Sequence, residues 1–439
     1  MKNSRIVISI FLVALVAVGW VLQIIGIADR GSTYDASLAQ AALYQEKGLY
    51  QKSIMEYENA LALRESMEVR TMWLTAYDQA YLDGVVEASD YSDAMLAACQ
   101  IYPDQVHFWE ALLAFYLENG EYNSAYSAYK QCIKADAHSE KLAKLCNDVL
   151  YSFTPSRKIY LGFTRSPLGY YSVCDEFGWG AIDPSGERTA SCDYQYVGPF
   201  NQNNQALYIS EKDARLIGED GIVEAIVLKD IVLTGAQGDG LVPVLLENSY
   251  WYYMDCDTGI LGQTQYSDAS NYLDGYAMVC NNGTWVLLNS NGEQSGGQTF
   301  EDVKLHGNKD YQYKDIMIAA KAGLYGIYDK KGEAKNNFTC KDADVYLGGY
   351  IAYQDASGKW GYVNKDGEIV IEPKFDNAKS FSNELAAVQN GSMWGYINQK
   401  GDVVIDYQYL DADYFTKSGV SFVSTIEGEY YLIKLRFAN

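Results

Sequence analysis

Histidine is among the side chains most often used in catalytic and metal sites, and this sequence has three of them, His107, His138 and His306. No two stand at the spacing that would bring two imidazoles to one metal ion. The sequence also contains no G-x-S-x-G nucleophile elbow, no G-x-x-x-x-G-K-[ST] phosphate loop and no H-E-x-x-H zinc motif. We therefore predict no catalytic residue, no metal site and no cofactor.

Eight cysteines are spread along the chain without a C-x-x-C pair: Cys99, Cys132, Cys146, Cys174, Cys192, Cys256, Cys280 and Cys340. Zinc sites and dense disulfide scaffolds need closer spacing, so we expect most of these cysteines to be buried, small apolar residues. Cys174 and Cys192 flank one hairpin, and a disulfide between them stays open. The segments "NKDG", "NSNG", "DPSG" and "DCDTG" resemble calcium loops but lack the full ligand set with its closing glutamate, so we interpret them as turns.

The net charge argues against one class of partner. The chain carries 57 acidic and 34 basic residues, for a formal charge of −23 at pH 7. Nucleic acids and anionic lipid headgroups are bound by clustered lysine and arginine. We therefore expect no nucleic-acid partner, and an acidic surface that keeps a domain soluble explains the excess without any ligand.

The N-terminal residues 6–28, "IVISIFLVALVAVGWVLQIIGIA", carry no charge and follow Lys2 and Arg5. As a helix they would extend about 34 Å, enough to span about 30 Å of bilayer hydrocarbon. A cleaved signal peptide is the alternative, but its apolar region runs only about 7 to 15 residues. We predict an uncleaved, single-pass membrane anchor with a cytoplasmic N-terminus, which leaves the bulk of the chain extracytoplasmic.

Residues 34–153 are rich in Ala, Leu, Tyr, Glu and Lys at helical spacing and predict stacked α-hairpins. Large side chains alternate with small ones in two units, at Gly48, Tyr50, Tyr57 and Ala60, and at Trp109, Leu112, Tyr116, Tyr122, Ala125 and Tyr129. This pattern resembles the tetratricopeptide repeat, although Leu113 stands where that family has a small glycine. The resemblance implies about three units whose concave face binds a peptide or a partner domain, with a purely structural stalk as the alternative.

Residues 157–439 contain a second repeated pattern. In each unit a residue that we call the anchor precedes alternating apolar positions. The spacing between successive anchors is 34 to 40 residues. The eight anchors are Trp179, Ala214, Trp251, Trp285, Tyr325, Trp360, Trp394 and Tyr430. In most units a glycine stands seven positions later, as at Gly186, Gly292, Gly332, Gly367 and Gly401.

Each of these units predicts four short strands, with a glycine closing the turn after the anchor strand. Four strands in about 35 residues are typical of a propeller blade. We therefore predict a multidomain α plus all-β chain that ends in a β-propeller-like array of seven or eight blades. Its first and last units should meet, because exposed sheet edges need protection. An open solenoid of β-hairpins is the alternative.

The anchors also carry a family resemblance, at Trp179-Gly180, Trp360-Gly361 and Trp394-Gly395, with Gly326 following Tyr325 in the same way. These pairs resemble the WG-repeat family from Lys158 to Phe437, and the pattern is degenerate at Ala214 and Trp251. That family is mostly bacterial, often exported and generally without assigned activity, which implies a binding or scaffold role. An indole can fill the wedge between blades while glycine allows close approach, so we expect core residues rather than ligand contacts.

We predict a membrane-anchored extracytoplasmic scaffold, not an enzyme, that binds a protein partner through its helical and WG-repeat surfaces. Binding of a cell-wall glycan or another carbohydrate is the alternative. A propeller-type glycan hydrolase would need paired carboxylates, and such propellers add clustered arginines. The array contains few arginines for such a cluster: Arg157, Arg165, Arg188, Arg215 and Arg436.

Overall fold

The computed structural model describes residues 33–165, 169–211, 214–218, 221–226 and 230–437. The chain divides into two compact units between Leu150 and Tyr151. No helix in these described ranges is long and apolar enough to cross a membrane. The membrane anchor predicted at residues 6–28 lies outside the described residues.

The first unit is helical. Its helices in the described part of the chain are α1 (Thr33–Glu46), α2 (Tyr50–Leu63), α3 (Met67–Leu82), α4 (Ala88–Ile101), α5 (Val106–Glu118), α6 (Tyr122–Lys134) and α7 (Glu140–Leu150). Helices α1, α3 and α5 are each followed by a glycine with positive φ, Gly48, Gly84 and Gly120. Glycine adopts this backbone conformation at helix ends without a steric penalty, so the helices are arranged as hairpins.

The core of the helical unit contains several of the residues that the repeat pattern singled out. Trp109, Leu112 and Ala125 are fully buried, and the indole of Trp109 donates a 2.9 Å hydrogen bond to the carbonyl of Pro103. Tyr57 is also buried, and its hydroxyl joins α2 to α1 by donating to Gln45 at 3.0 Å. Ala60 and Tyr116 are buried, whereas Tyr50, Tyr122 and Tyr129 are half-buried. Membership of the tetratricopeptide family stays a prediction.

The second unit is a ring of eight antiparallel sheets, which we number as blades 1 to 8. Blade 1 contains β2 (Gly162–Arg165), β3 (Tyr171–Asp175), β4 (Gly178–Ile182) and β5 (Arg188–Tyr194), and blade 2 contains β6 (Tyr196–Val197), β7 (Ala206–Ile209), β8 (Ala214–Gly218) and β9 (Gly221–Ile226). Blade 3 contains β10 (Ile231–Thr234), β11 (Leu241–Leu246) and β12 (Trp251–Asp255). Blade 4 contains β13 (Asp268–Ala269), β14 (Tyr276–Asn281), β15 (Thr284–Asn289) and β16 (Gln294–Phe300).

Blades 5 to 8 follow the same order. Blade 5 contains β17 (Asp302–Val303), β18 (Met317–Lys321), β19 (Leu324–Tyr328) and β20 (Ala334–Cys340), and blade 6 contains β21 (Asp342–Ala343), β22 (Tyr350–Gln354), β23 (Trp360–Asn364) and β24 (Ile369–Phe375). Blade 7 contains β25 (Asn377–Ala378), β26 (Leu385–Asn390), β27 (Met393–Asn398) and β28 (Val403–Tyr409). Blade 8 contains β29 (Asp411–Ala412), β30 (Val420–Ile426) and β31 (Glu429–Leu435), joined by β1 (Phe153–Tyr160).

Strand β1 closes the ring. It pairs antiparallel with β31, from Phe153 opposite Leu435 to Tyr160 opposite Tyr430, and so becomes the fourth strand of blade 8. The predicted meeting of the two ends is confirmed, the blade number is eight, and the open solenoid is wrong. Because β1 begins at Phe153, the second unit starts before residue 157, where we had predicted its boundary.

All eight predicted anchors lie in the third strand of a blade. Trp251, Trp285, Trp360 and Trp394 are buried, whereas Trp179, Tyr325 and Tyr430 are half-buried. Blade 3 differs because an irregular segment follows Trp251. Within the described residues this blade has three regular strands. Tyr266 takes the place of a fourth strand, because its backbone exchanges two hydrogen bonds with that of Trp251, at 2.8 and 2.9 Å.

In five blades the turn after the anchor strand is built by one side-chain oxygen and one glycine. In blade 6 the Oδ1 atom of Asn364 accepts hydrogen bonds from the backbone N–H groups of Asp366 and Glu368, both at 3.0 Å, and Gly367 has φ +82°. The same turn forms at Asp183, Asn289, Asp329 and Asn398, followed by Gly186, Gly292, Gly332 and Gly401 with positive φ. The segments that resembled calcium loops at these positions are therefore turns stabilised by their own backbone.

The glycine of the Trp-Gly pair faces an irregularity in the fourth strand. The pairing register of β24 shifts beside Trp360, and a Cβ atom on Gly361 would lie 2.5 Å from the carbonyl oxygen of Ile371. A Cβ on Gly395 would lie 2.6 Å from the carbonyl oxygen of Ile405. Any larger residue would push the fourth strand away, which explains the pair better than flexibility does.

We predict that Gly361→Ala and Gly395→Ala each lower the free energy of unfolding by roughly 1 to 3 kcal/mol, because the added methyl group overlaps a backbone carbonyl. Urea unfolding followed by tryptophan fluorescence measures the change. Gly326→Ala is the matched control, since its Cβ would meet the ring of Tyr328 at 3.2 Å and a ring can shift. Equal losses in all three variants would contradict the proposed role of the carbonyl contact.

Candidate functional site at the propeller axis

The short first strands of blades 4 to 8 share one local motif. Each begins with Asp or Asn followed by Ala or Val, as in Asp342-Ala343 and Asp411-Ala412. In four of them the side-chain oxygen of the first residue accepts a hydrogen bond from the next backbone N–H, at 2.7 to 2.9 Å. This local bond fixes the direction in which the chain leaves the strand, and thereby positions the third residue of the motif.

The third residues alternate in charge around the ring, from Lys304 in blade 5 to Asp344, Lys379 and Asp413 in blades 6, 7 and 8. Lys304 lies 2.9 Å from Asp342 in the next blade. Lys379 lies 3.6 Å from Asp411 and 3.7 Å from Asp413 in the next blade. We call these four residues the axial charge ring, and their ion pairs join neighbouring blades.

Tyr414 connects the axial charge ring to blade 1. The guanidinium of Arg165 lies over the Tyr414 ring, 3.7 Å from its centroid, and 3.9 Å from Asp413. The Tyr414 hydroxyl donates to Asp344, which also accepts from the backbone N–H of Ser380 at 2.7 Å. Burial raises the pKa of Tyr414 well above its usual range. Blades 6 and 8 are not neighbours, so this bond places the cluster at the axis.

A long loop of blade 5 reaches the same place. Residues 304–316 connect β17 to β18 with 13 residues, whereas the equivalent connections of blades 4, 6 and 7 have six. A Cβ atom on Gly307 would lie 3.1 Å from the carbonyl oxygen of Arg165. Blades 1 and 5 stand opposite each other in a ring of eight, so this loop, which we call the axial plug, crosses the axis.

Buried amides hold the axial plug to blade 4. The side-chain amide of Asn271 donates to the carbonyl of Asn308 at 2.6 Å and to the carboxylate of Asp310 at 2.7 Å. The Asn308 amide donates to the other oxygen of Asp310 at 2.8 Å. Burial nevertheless raises the pKa of Asp310, because the two amides only partly replace its hydration.

His306 of the axial plug is 9% exposed, and burial lowers its pKa to about 3, with a further lowering by the Arg165 guanidinium. The ring is therefore neutral at physiological pH. His107 and His138 lie in the helical unit. No group of three potential metal ligands is present within the described residues.

Tyrosine hydroxyls fasten the anchor strands to the axis, a contact that sequence reasoning missed. Tyr253, Tyr362 and Tyr396 stand two residues after an anchor tryptophan. Each donates to a backbone carbonyl in the loop after the next blade's first strand, namely to Ser270 at 2.8 Å, Lys379 at 3.0 Å and Asp413 at 2.9 Å. The repeated W-x-Y spacing was the available signal.

The axial residues bind one another. Asp344 is engaged by Tyr414 and Ser380, and Asp413 by Arg165 and Lys379. Each of these two carboxylates is already paired with protein groups. The axis therefore acts as a structural hub, and it carries no argument for glycan hydrolysis.

A second candidate site lies at the rim, between blades 1 and 2. Phe177, at the β3–β4 turn, is 79% exposed beside an open cavity of about 520 Å³ that is also lined by Asp193, Tyr194, Gln195 and Glu211. The turn is fixed by Asp175, which accepts from the Phe177 N–H at 3.1 Å and lies 3.1 Å from Lys158 and 3.2 Å from Arg188. We call this site the rim groove.

The ring of eight closed blades makes the second unit an eight-bladed β-propeller. The WG containing repeat family model matches residues 179–209, 263–285, 360–393 and 394–430, and the chain is a WG-repeat protein. A search of curated proteins found no match.

Among solved structures, BamB from Moraxella catarrhalis shares 11% identity at a TM-score of 0.43, with 65% of this chain and 100% of that one covered. The computationally designed Ika8 protein shares 12% identity at a TM-score of 0.41, with 65% of this chain and 99% of that one covered. The Dos1 propeller shares 12% identity at a TM-score of 0.40, with 65% of this chain and 95% of that one covered. Similarities this low say nothing about function.

The buried His306 predicts an acid-sensitive propeller. Its folded pKa lies below the ordinary value near 6.5, so between about pH 6.5 and pH 3 the unfolded chain binds a proton that the folded chain does not. Stability is lost as the pH falls through this window, by on the order of 2 kcal/mol at pH 5 relative to pH 7.5.

Urea unfolding at the two pH values measures this effect. His306→Asn should lose less stability on acidification than the wild type, by roughly 2 kcal/mol. His138→Asn is the control because that ring is exposed on the helical unit. An identical pH dependence in wild type and His306→Asn would contradict a neutral, buried imidazole.

Proposed function

We propose that this WG-repeat protein is a non-enzymatic scaffold that binds a protein partner at the rim groove. The observation that carries the proposal is the exposed phenyl ring of Phe177 on a turn held by the ion pairs of Asp175. A large aromatic side chain on a fixed turn loses little conformational freedom on binding, which is typical of a binding hot spot.

The charges around Phe177 favour one kind of partner. Asp193 and Glu211 line the rim groove, and Glu176 is exposed next to Phe177. A partner segment with an apolar or aromatic residue flanked by lysine or arginine would complement both features. Association with such a segment would also be accelerated by the strongly acidic charge of the chain.

The helical unit offers a second surface. A cavity of about 350 Å³ opens between α4, α5 and α6, lined by Leu96, Tyr116, Ser124, Ala128 and Gln131 among others. Its mixed apolar and amide lining suits a short peptide. This supports the tetratricopeptide resemblance as a binding unit rather than a simple stalk, and it makes the chain a scaffold with two recognition surfaces.

Carbohydrate binding is the second candidate function. An exposed aromatic ring beside carboxylate and amide side chains also suits a sugar, since the ring packs against the apolar face and the polar groups bind hydroxyls. The rim groove has this composition in Phe177, Asp193 and Gln195. A cell-wall glycan is therefore the ligand to test against a protein partner.

Phe177→Ala should reduce partner retention about tenfold or more when the full chain is used as bait in solubilised membranes, because the central apolar contact is lost. Ile260→Ala is the matched control, since Ile260 is 67% exposed on blade 3 and outside the rim groove. Quantitative mass spectrometry of the retained proteins compares the three baits. Retention unchanged in Phe177→Ala, or equally reduced in both variants, would contradict the proposal.

Cosedimentation of the same three proteins with insoluble cell-wall glycan distinguishes the second candidate. Loss of glycan binding in Phe177→Ala alone, without loss of any protein partner, would replace the protein-binding proposal by carbohydrate recognition. Release of glycan fragments that stops when one carboxylate is replaced, with folding intact, would contradict the non-enzymatic assignment.

We also propose that residues 6–28 anchor the chain in the membrane with both repeat units on the extracytoplasmic side. The uncharged run after Lys2 and Arg5 supports this orientation. Protease added to intact cells should then degrade nearly all of residues 35–439, as followed with antibodies against the propeller. Full protection, or a secreted form that begins near Asp29, would contradict the anchor.

A further inference from the structure

A second cavity lies on blade 8, the neighbour of the blade that carries Phe177. Its volume is about 420 Å³, and it opens where β1 bulges away from β31 between Pro155 and Ile159. Ile159 and Ile426, which ends β30, both line it and are 43% and 58% exposed. We call it the closure pocket, because one wall comes from β1 and the other from the C-terminal hairpin of the ring.

Two contacts place the closure pocket beside the turn that carries Phe177. The ammonium of Lys158 on β1 lies 3.1 Å from the carboxylate of Asp175, at the start of that turn. The backbone N–H of Leu161, just after β1, donates to a carbonyl of β3 at 2.7 Å, and the Leu161 side chain is 54% exposed. The Phe177 turn therefore has the rim groove towards blade 2 and the closure pocket towards blade 8.

An exposed carboxylate adjoins each of the two most exposed apolar side chains of this surface. Glu176 precedes Phe177 in the chain, and Glu427 follows Ile426. The combination of an apolar and an acidic side chain thus occurs twice, once beside each cavity. Its complement is an apolar side chain next to lysine or arginine, also present twice.

We propose that the partner of the rim groove is one extended segment with two apolar side chains, each next to lysine or arginine, and that the second apolar side chain occupies the closure pocket. This inference rests on the proposed function, because it extends the same site. A segment that engages one pocket holds its second side chain at a high effective concentration near the other pocket. Two weak apolar contacts therefore combine into one specific interaction.

The charge of the surface favours this occupant over a second copy of the chain. Another copy would bring its own formal charge of −23 to the acidic side chains of the site. Glu429 adds a further carboxylate to the lining of the closure pocket, and Arg157 balances one of these charges. A basic segment covers the exposed apolar side chains and also supplies cations to the carboxylates.

The closure pocket depends on the closed ring. Pro155 and Ile159 belong to the first strand of the second unit, whereas Ile426 and Tyr431 belong to its last two strands. If β1 leaves β31, these walls separate. A ligand of the pocket therefore binds the closed propeller in preference to the opened one, and it stabilises closure by mass action.

Peptide selection on the full chain tests the two-pocket segment. Short random peptides displayed on phage are selected on the immobilised protein in detergent, and the enriched peptides are synthesised for affinity measurement. We expect them to contain two apolar residues, each next to lysine or arginine. Phe177→Ala and Ile426→Ala should each weaken their binding about tenfold. Leu324→Ala is the matched control, because Leu324 is 44% exposed at the equivalent hairpin of blade 5.

The outcomes separate this inference from the proposed function. Peptides that lose affinity in Phe177→Ala but not in Ile426→Ala would overturn the inference and leave the rim groove as proposed. Peptides that depend on neither residue, or a selection without enrichment, would overturn both. A dimer of the wild type in detergent that Ile426→Ala converts to a monomer would assign the closure pocket to a second copy and also overturn the inference.

Hydrogen exchange measures the coupling to ring closure. The selected peptide, present at about ten times its dissociation constant, should slow amide exchange in β1 and β31 of the wild type about tenfold. At the same peptide concentration the effect in Ile426→Ala should be several-fold smaller, because less peptide is bound. Exchange in both strands that stays unchanged when the wild type is saturated with peptide would contradict occupation of the closure pocket.

Discussion

The propeller depends on how the space at its axis is filled. Eight blades cannot converge on a point, and a protein interior packs to nearly the density of an organic crystal. This chain fills the space with polar groups, and each buried polar group must find a partner. In the axial charge ring Lys379 pairs with Asp413, Lys304 pairs with Asp342, and Asp344 accepts hydrogen bonds from Tyr414 and Ser380, while the axial plug occupies further space at the axis. The tyrosine hydroxyls that follow the anchor tryptophans then attach the outer strands to this centre.

The proposal places recognition at the rim because the axial residues are bound to one another. Many propellers bind ligands in a central funnel, but here Arg165, Tyr414 and Asp344 are bound to one another at the axis. The rim groove combines the exposed phenyl ring of Phe177 with an open cavity of about 520 Å³. The paired charges at the centre stabilise the closed propeller. The exposed phenyl ring of Phe177 lowers the free energy of the system only when another molecule covers it and removes it from water.

The sequence predicted the structures that follow from the repeat spacing, and it missed the contacts between residues that are far apart in the chain. Eight anchors at nearly constant spacing predicted the blades, because a turn with a positive-φ glycine and alternating apolar residues leave little choice of local structure. The spacing of 40 residues between Trp285 and Tyr325 reflects the extra length of the axial plug. Its destination at Arg165 could not be predicted, because that contact joins opposite blades and has no local pattern. The tyrosine hydroxyl bonds were missed for the same reason, since Tyr362 looks like any alternating core residue until its partner is known.

The closing strand has a consequence for how the protein is made. Strand β1 leaves the ribosome early, but its partner β31 is synthesised about 270 residues later, which takes between roughly 15 seconds and about one minute. During that time blade 8 does not exist, and the sheet edges of the nascent blades stay unpaired, a state that favours aggregation. Closure of the ring must therefore wait until β31 has been synthesised, and a chaperone that shields β1 until then would raise the yield of native protein without touching the finished molecule.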